Sequence, residues 1–316
     1  MATFRKVPHD LLDVAGAGTL YVAGSPSAKN VLIFCAGWPD KQDAFLPLAA
    51  RLEKECGCLV GVTCMPEYDR CADKTVAPHK PWGYDLDQMG ACFAQAAAAL
   101  RAESTRPDAA LTVVTHDWGF APGFSFANSH GCDRVVAFDV LGDRDPRQTY
   151  VAAVKEQTYQ VFFGIAFLLS RLSVQLARWL WIRPVGFIVF KVFRKWFAPA
   201  GPLDQGCASL KPPTLFHLYP YWHLLCLRWF SSRATFRRML YNLSAERLIT
   251  EKKTPMLFMY GEEKRNKFHT DKIVELVRAT PGCKVVPVAN AGHWLYHESQ
   301  QAELCFREVK AFVLGK

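Results

Sequence analysis

The chain has no apolar run long enough to cross a bilayer, no trusted zinc-ligand spacing, no internal repeat and no low-complexity linker. The uncharged, apolar stretch from Gln157 to Ser170 holds 14 residues, short of the roughly 18 that a spanning helix requires. Eleven cysteines are present, but they are odd in number, scattered and often set in apolar strands, as with Cys35 and Cys64. That usage argues against an obligatory disulfide framework and fits a reducing compartment. Cys56-Gly57-Cys58 with Cys64 matches no zinc pattern and reads as small buried residues, so neither a metal nor an organic cofactor is expected. The opening residues, Met1 to Asp10, contain no apolar core, so no secretory signal is expected. Lys and Arg outnumber Asp and Glu by 38 to 29, a formal charge of +9, yet no nucleic-acid motif accompanies them. The charge predicts an anionic surface as partner and no nucleic acid. The expected location is cytoplasmic, extending to peripheral attachment at a membrane.

What is present is material for a large core. Hydrophobic residues make up 50% of the 316, which suits one α/β domain with an insertion. Short apolar, β-branched runs alternate with helical patterns. Strands are expected near Leu20 to Ala23 and over 31–35, Cys58 to Thr63, Leu111 to Thr115 and Val135 to Val140. Helices are expected over Asp43 to Glu55, over Leu86 to Glu103, and from about Trp118. Residues 146–248 read as helical; a strand over Pro255 to Tyr260, a helix, a strand over Val285 to Ala289 and a final helix from about Ser299 follow. Such alternation predicts an α/β fold class, a mostly parallel sheet with helices on both faces. Residues 1–145 and 249–316 would form its core and 146–248 an inserted helical cap.

Thr115-His116-Asp117-Trp118-Gly119 is the stretch that suggests chemistry. Leu111 to Thr115 matches a buried strand and Gly119 onward a helix, so Asp117 sits at a strand-to-helix turn that lifts its side chain above the sheet. Small residues two positions either side let the two backbones approach; Gly119 supplies one, and Thr115 stands where glycine is usual. A serine at the tip would suit esters and amides, whereas an aspartate suits attack on an alkyl carbon. Ser125 and Ser129 lie down the helix, away from the tip. The plainer alternative is that Asp117 is a helix N-cap. Two segments favour the chemical reading. Ala36-Gly37-Trp38-Pro39-Asp40 follows an apolar strand as a Gly/Pro turn able to aim a backbone N–H at a developing oxyanion. Ala291-Gly292-His293-Trp294 places a histidine in a loop near the other end.

Taken in this order, the chain resembles the α/β-hydrolase superfamily, and within it the epoxide hydrolase and haloalkane dehalogenase branch with an aspartate nucleophile. The resemblance rests on the HGxP-like Ala36-Gly37-Trp38-Pro39, on His116-Asp117-Trp118-Gly119 and on Gly292-His293-Trp294. It implies Asp117 as nucleophile, His293 as base, and the backbone N–H groups of Trp38 and Trp118 as oxyanion donors. Two positions depart from the family pattern. Ala36 replaces the histidine of the turn, and Lys264 fills the usual acid slot three residues past Gly261. Asp139, near the end of the strand after the elbow helix, is the preferred acid, with Glu263 the alternative. Asp143 and Asp145 lie further on in a charged turn.

The implied reaction is hydrolysis through an alkyl ester on Asp117, cleaved by water that His293 activates. An epoxide oxygen leaves as an alkoxide and needs a proton donor, which the family takes from cap tyrosines. Tyr219, Tyr221 and Tyr159 are the substrate-binding candidates here. Gly37-Trp38-Pro39 resembles the epoxide hydrolase form, so a hydrophobic small-molecule epoxide, lipid-derived ones included, is the expected substrate. A haloalkane dehalogenase is one alternative. A non-catalytic lipid-binding or membrane-binding relative, motivated by Ala36 and Lys264, is another. Beyond Ser170, apolar residues are studded with Arg171, Arg178, Arg183, Lys191, Arg194 and Lys195. That pattern fits helices lying on a membrane interface, giving a peripheral contact through the cap, and equally a roof over the site.

Overall fold

The computed structural model describes residues 3–72, 76–142, 150–172, 214–263, 267–297 and 301–315, with backbone alone for 72 and 150–159. Eight strands form one sheet: β1 Arg5–Leu11, β2 Val14–Ala23, β3 Asn30–Ala36, β4 Leu59–Cys64, β5 Ala110–His116, β6 Arg134–Phe138, β7 Met256–Gly261 and β8 Lys284–Val288. Their order is β1-β2-β4-β3-β5-β6-β7-β8. β2 pairs antiparallel with both β1 and β4, and from β4 to β8 each neighbouring pair is parallel.

The middle strands are buried along almost their whole length and mostly apolar because helices cover both faces of the sheet. Along β3, Leu32, Phe34 and Ala36 enter one core while Val31, Ile33 and Cys35 enter the other, the alternation that a two-residue period dictates. α1 (Leu46–Cys56) packs on the first face; α2 (Leu86–Ala102) and α3 (Phe120–His130) pack on the second. α2 starts at a capping box, in which Gln88 N–H donates to Asp85 Oδ1 at 2.8 Å and Asp85 N–H to Gln88 Oε1 at 3.2 Å, satisfying two N-terminal donors reciprocally. The described part of the insertion is helical: α4 (Tyr150–Leu172), α5 (Tyr219–Phe230) and α6 (Arg233–Asn242). α7 (Ala245–Thr250) and α8 (Asp271–Ala279) return to the second face, and α9 (Ala302–Leu314) lies on the first. None of the described helices is long and apolar enough to cross a membrane.

Three differences from the sequence reading have physical causes. β1 was not foreseen, because RKVPHDL is polar and contains Pro8; it is an edge strand, where a missing N–H is tolerated. The helix expected from Asp43 is split into a single 3₁₀ turn and α1, with Pro47 in the first turn of the latter, the position proline favours. The strand expected to reach Val140 stops at Phe138, since Asp139 turns to a φ of 66°. Val140 makes only an isolated bridge to Phe268.

Candidate active site

The site is assembled at the carboxyl ends of β3, β5, β6 and β8, where four loops meet. β5 ends at His116, in extended conformation with φ −143°, and Asp117, at φ 48°, opens the 3₁₀ turn Asp117–Gly119 that leads into α3. A non-glycine residue there costs on the order of 1–3 kcal/mol, held by its surroundings. Those surroundings are two backbones in near contact. A Cβ on Gly119 would lie 2.1 Å from the Cys35 carbonyl oxygen, and one on Gly37 would lie 2.3 Å from Trp118 N. Glycine at both positions lets the elbow and the turn after β3 interlock, which sets Trp38 beside Trp118. Thr115, bulkier than the glycine usual there, is accommodated by Gly123, whose added Cβ would meet Thr115 Cγ2 at 2.4 Å.

The Asp117 side chain is 13% exposed, with Oδ1 3.4 Å from His293 Nε2. Its Oδ2 is buried without a hydrogen-bond partner among the described residues. His293 is fully buried, and its Nδ1 hydrogen-bonds Asp139 Oδ2, also fully buried. A carboxylate acceptor at Nδ1 places the ring proton there and leaves the Nε2 lone pair on the Asp117 side. Asp139 reaches His293 from a strained γ-turn: Val140 N–H donates to the Phe138 carbonyl at 2.8 Å across it. Its own N–H donates to Met259 O at 2.7 Å, fixing the turn to β7.

Glu263, the alternative acid, is exposed; its backbone N–H donates to Ala291 O at 3.1 Å. Lys264, Asp143 and Asp145 lie outside the described residues.

Sequence reasoning missed how the histidine loop is held. His116 is buried, its Nε2–H donating to the His293 carbonyl at 2.9 Å and its Nδ1 accepting from the Tyr296 hydroxyl at 3.1 Å. Trp294 Nε1–H donates to Asp40 Oδ2 at 2.8 Å, and that oxygen is 3.8 Å from His116 Nδ1. The turn that has alanine in place of histidine is thus tied to the His293 loop through Asp40 and Trp294. His116, Asp40 and Trp294 each adjoin a motif residue, and that adjacency was the available signal.

Against the elbow residue Trp118 stands an aromatic wall. Tyr221 is buried, with its ring 5.0 Å from Trp118, 5.7 Å from Trp38 and 4.9 Å from Phe163; Trp38 and Phe163 are 5.1 Å apart. Tyr219, grouped with Tyr221 in the sequence reading, faces elsewhere. Its hydroxyl donates to Pro66 O at 3.2 Å, and its ring packs on Tyr68 and Tyr84 at 5.7 and 6.0 Å. Residues two apart on a helix are about 200° apart around its axis and cannot share a face. The Tyr159 side chain lies outside the described residues, as do Trp179, Trp181 and Trp196 and the basic residues Arg178, Arg183, Lys191, Arg194 and Lys195.

The insertion is fastened to the core beside this wall. Tyr68 donates to the His217 carbonyl at 2.6 Å, and His217 Nε2–H donates to the Tyr68 carbonyl at 3.0 Å while Nδ1 accepts from Thr214 N–H at 3.3 Å. Burial, and then the Asp117 charge, hold the Tyr68 phenol well above its usual range; burial pushes the His217 imidazole down to about 4. Among the described residues, no group of three or more His, Cys, Asp or Glu is placed to hold a metal ion.

No protein-family model and no curated protein sequence matches the chain. Solved structures do. A thermophilic esterase from Thermogutta terrifontis aligns at 12% identity and a TM-score of 0.65, over 98% of each chain. An epoxide hydrolase from Vigna radiata aligns at 14% identity and 0.64, covering 100% of this chain and 98% of its own. The haloalkane dehalogenase DatA from Agrobacterium tumefaciens aligns at 16% identity and 0.61, covering 99% and 96%. At these identities the likeness carries architecture alone, and with the sheet order and the elbow it leads to one conclusion: this chain has the α/β-hydrolase fold.

Proposed function

We propose that the protein is a hydrolase whose nucleophile is Asp117, and that it opens hydrophobic epoxides. The observation that carries this reading is Asp117 at the tip of a left-handed elbow, facing a buried His293 that is itself hydrogen-bonded to Asp139. A carboxylate so placed attacks an epoxide carbon, the ring C–O bond breaks, and the alkoxide takes a proton from Tyr221. The alkyl ester on Asp117 is then hydrolysed. His293 Nε2 removes a proton from water, whose oxygen adds to the Asp117 carboxyl carbon, and the backbone N–H groups of Trp38 and Trp118 meet the oxyanion. Collapse expels the product alkoxide, which takes the proton from His293; the proton left on Asp117 returns to Tyr221 through solvent. The balance is epoxide plus water to diol. Structural neighbours that include epoxide hydrolases are in keeping with this reading.

Support over a binding-only relative comes from Asp139, which offers His293 an acid irrespective of position 264. It also comes from Asp40 and His116, which brace the loop where Ala36 does not. Dehalogenation is the second reading, favoured by the two indoles of Trp38 and Trp118 flanking Tyr221, because indole N–H groups suit a departing halide. One turnover on an epoxide in heavy-oxygen water tests the mechanism. The heavy atom enters the Asp117 carboxylate and is absent from the first diol; heavy oxygen in that diol with none in Asp117 would overturn the proposal.

A further inference from the structure

The corner between α5 and α6 is built unlike an ordinary solvent-facing turn. Trp229 and Phe230, the last residues of α5, are 58% and 77% exposed. Their exposure belongs to an ordered turn: Ser231 Oγ–H donates to the Leu227 carbonyl, and Ser232 Oγ accepts from Thr235 N–H at 3.1 Å, capping α6. Past the corner, Arg233, Arg237 and Leu240 stand at i, i+4 and i+7 on α6, all exposed, whereas Met239 faces the core. That spacing makes them one stripe. Neither Arg233 nor Arg237 is in an ion pair among the described residues; Arg238, on another side, is 3.7 Å from Asp87. From Thr214 to Ala245 the chain holds four arginines, Arg228, Arg233, Arg237 and Arg238, and no Asp or Glu.

Two neighbouring exposed aromatics at an ordered tip, followed by two exposed arginines in a stretch of sequence without Asp or Glu, match a surface that is apolar a few ångströms deep and anionic at its face. Trp and Phe enter the headgroup and acyl boundary of a bilayer, and arginine pairs with lipid phosphate while its stem covers apolar surface. We propose that the α5–α6 corner, through Trp229, Phe230, Arg233 and Arg237, docks the protein peripherally on an anionic lipid surface. This goes beyond the hydrolase reading and does not depend on it. None of the four residues belongs to the machinery around Asp117.

Flotation of the full chain with vesicles tests it, comparing phosphatidylcholine alone with phosphatidylcholine containing one third phosphatidylglycerol. The wild type floats with the anionic vesicles, far less with the neutral ones, and less as salt is raised. W229S/F230S lowers the partition coefficient by roughly tenfold or more, and R233Q/R237Q lowers it by roughly thirtyfold at low salt, at about a factor of five per arginine. All four side chains are exposed, so melting curves of both variants should match the wild type and separate lost docking from lost folding. Absence of flotation, equal flotation with both vesicles, or variants that float like the wild type would each overturn the proposal. So would W229S/F230S converting a dimer to a monomer with flotation unchanged, which would assign the corner to a second copy of the chain.

Discussion

Replacing Asp139 with asparagine keeps the size of a fully buried side chain and removes the charge beside His293 Nδ1. The charge matters only while His293 is protonated, and in the proposed cycle that happens during ester hydrolysis and not during alkylation of Asp117. Opposite charges about 4 Å apart attract by about 4 kcal/mol at an effective dielectric of 20, and both groups are excluded from solvent. A loss of that size slows the hydrolytic half-reaction by about 10³. Asparagine also offers an N–H where Nδ1–H needs an acceptor, which favours the wrong tautomer and adds to the loss. Single-turnover kinetics with rapid quench separates the halves: in D139N the alkyl-enzyme forms at close to the wild-type rate and then accumulates. The exposed Glu263 is the control, and E263Q turns over like the wild type. Threefold or smaller loss in D139N, or an equal loss in E263Q, would refute the reasoning.

The two tyrosines of α5 should separate in the same assay. Y221F slows epoxide opening by about 10², and Y219F leaves turnover unchanged while removing the bond to Pro66 O, at about 1 kcal/mol of stability in urea unfolding. His217 links stability to pH. Its folded value of about 4 lies below the ordinary 6.5, so below pH 6.5 the unfolded chain takes up a proton that the folded chain refuses. The stabilisation is whole above pH 6.5 and is lost as pH falls through 4. H217Q keeps a donor and an acceptor, and should flatten the urea midpoint over that window by up to about 3 kcal/mol. G119A forces a Cβ to 2.1 Å from the Cys35 carbonyl oxygen and should destabilise by about 3 kcal/mol or more, with the urea midpoint as readout; a midpoint equal to wild type would remove the argument for interlocked turns.

The sheet was legible in the sequence where burial is two-sided. VLIFCA, LVGVTC and LTVVTH are nearly unbroken apolar runs because each strand is covered above and below. RKVPHDL was not legible, since an edge strand is half solvated and its proline hides the pattern. The elbow could be read because turn chemistry is local. The γ-turn at Asp139 could not, because it depends on a bond from Asp139 N–H to Met259 O on a strand far along the chain. The same holds for the bracing of His293: the bonds His116–His293 and Asp40–Trp294 span 177 and 254 residues. Tyr219 and Tyr221 were a legible split, because helical spacing alone parts residues i and i+2.

Covalent capture on Asp117 is the central claim, and the intact mass of H293Q tests it most directly. Glutamine at 293 leaves alkylation possible and removes the base that clears the ester. After exposure to a panel of lipid epoxides, H293Q should gain the mass of a whole epoxide, and the gain should vanish in H293Q/D117N. A gain from haloalkanes equal to the alkyl group without its halogen would move the reading to dehalogenation. No gain from either panel, or a gain that survives D117N, would contradict the account.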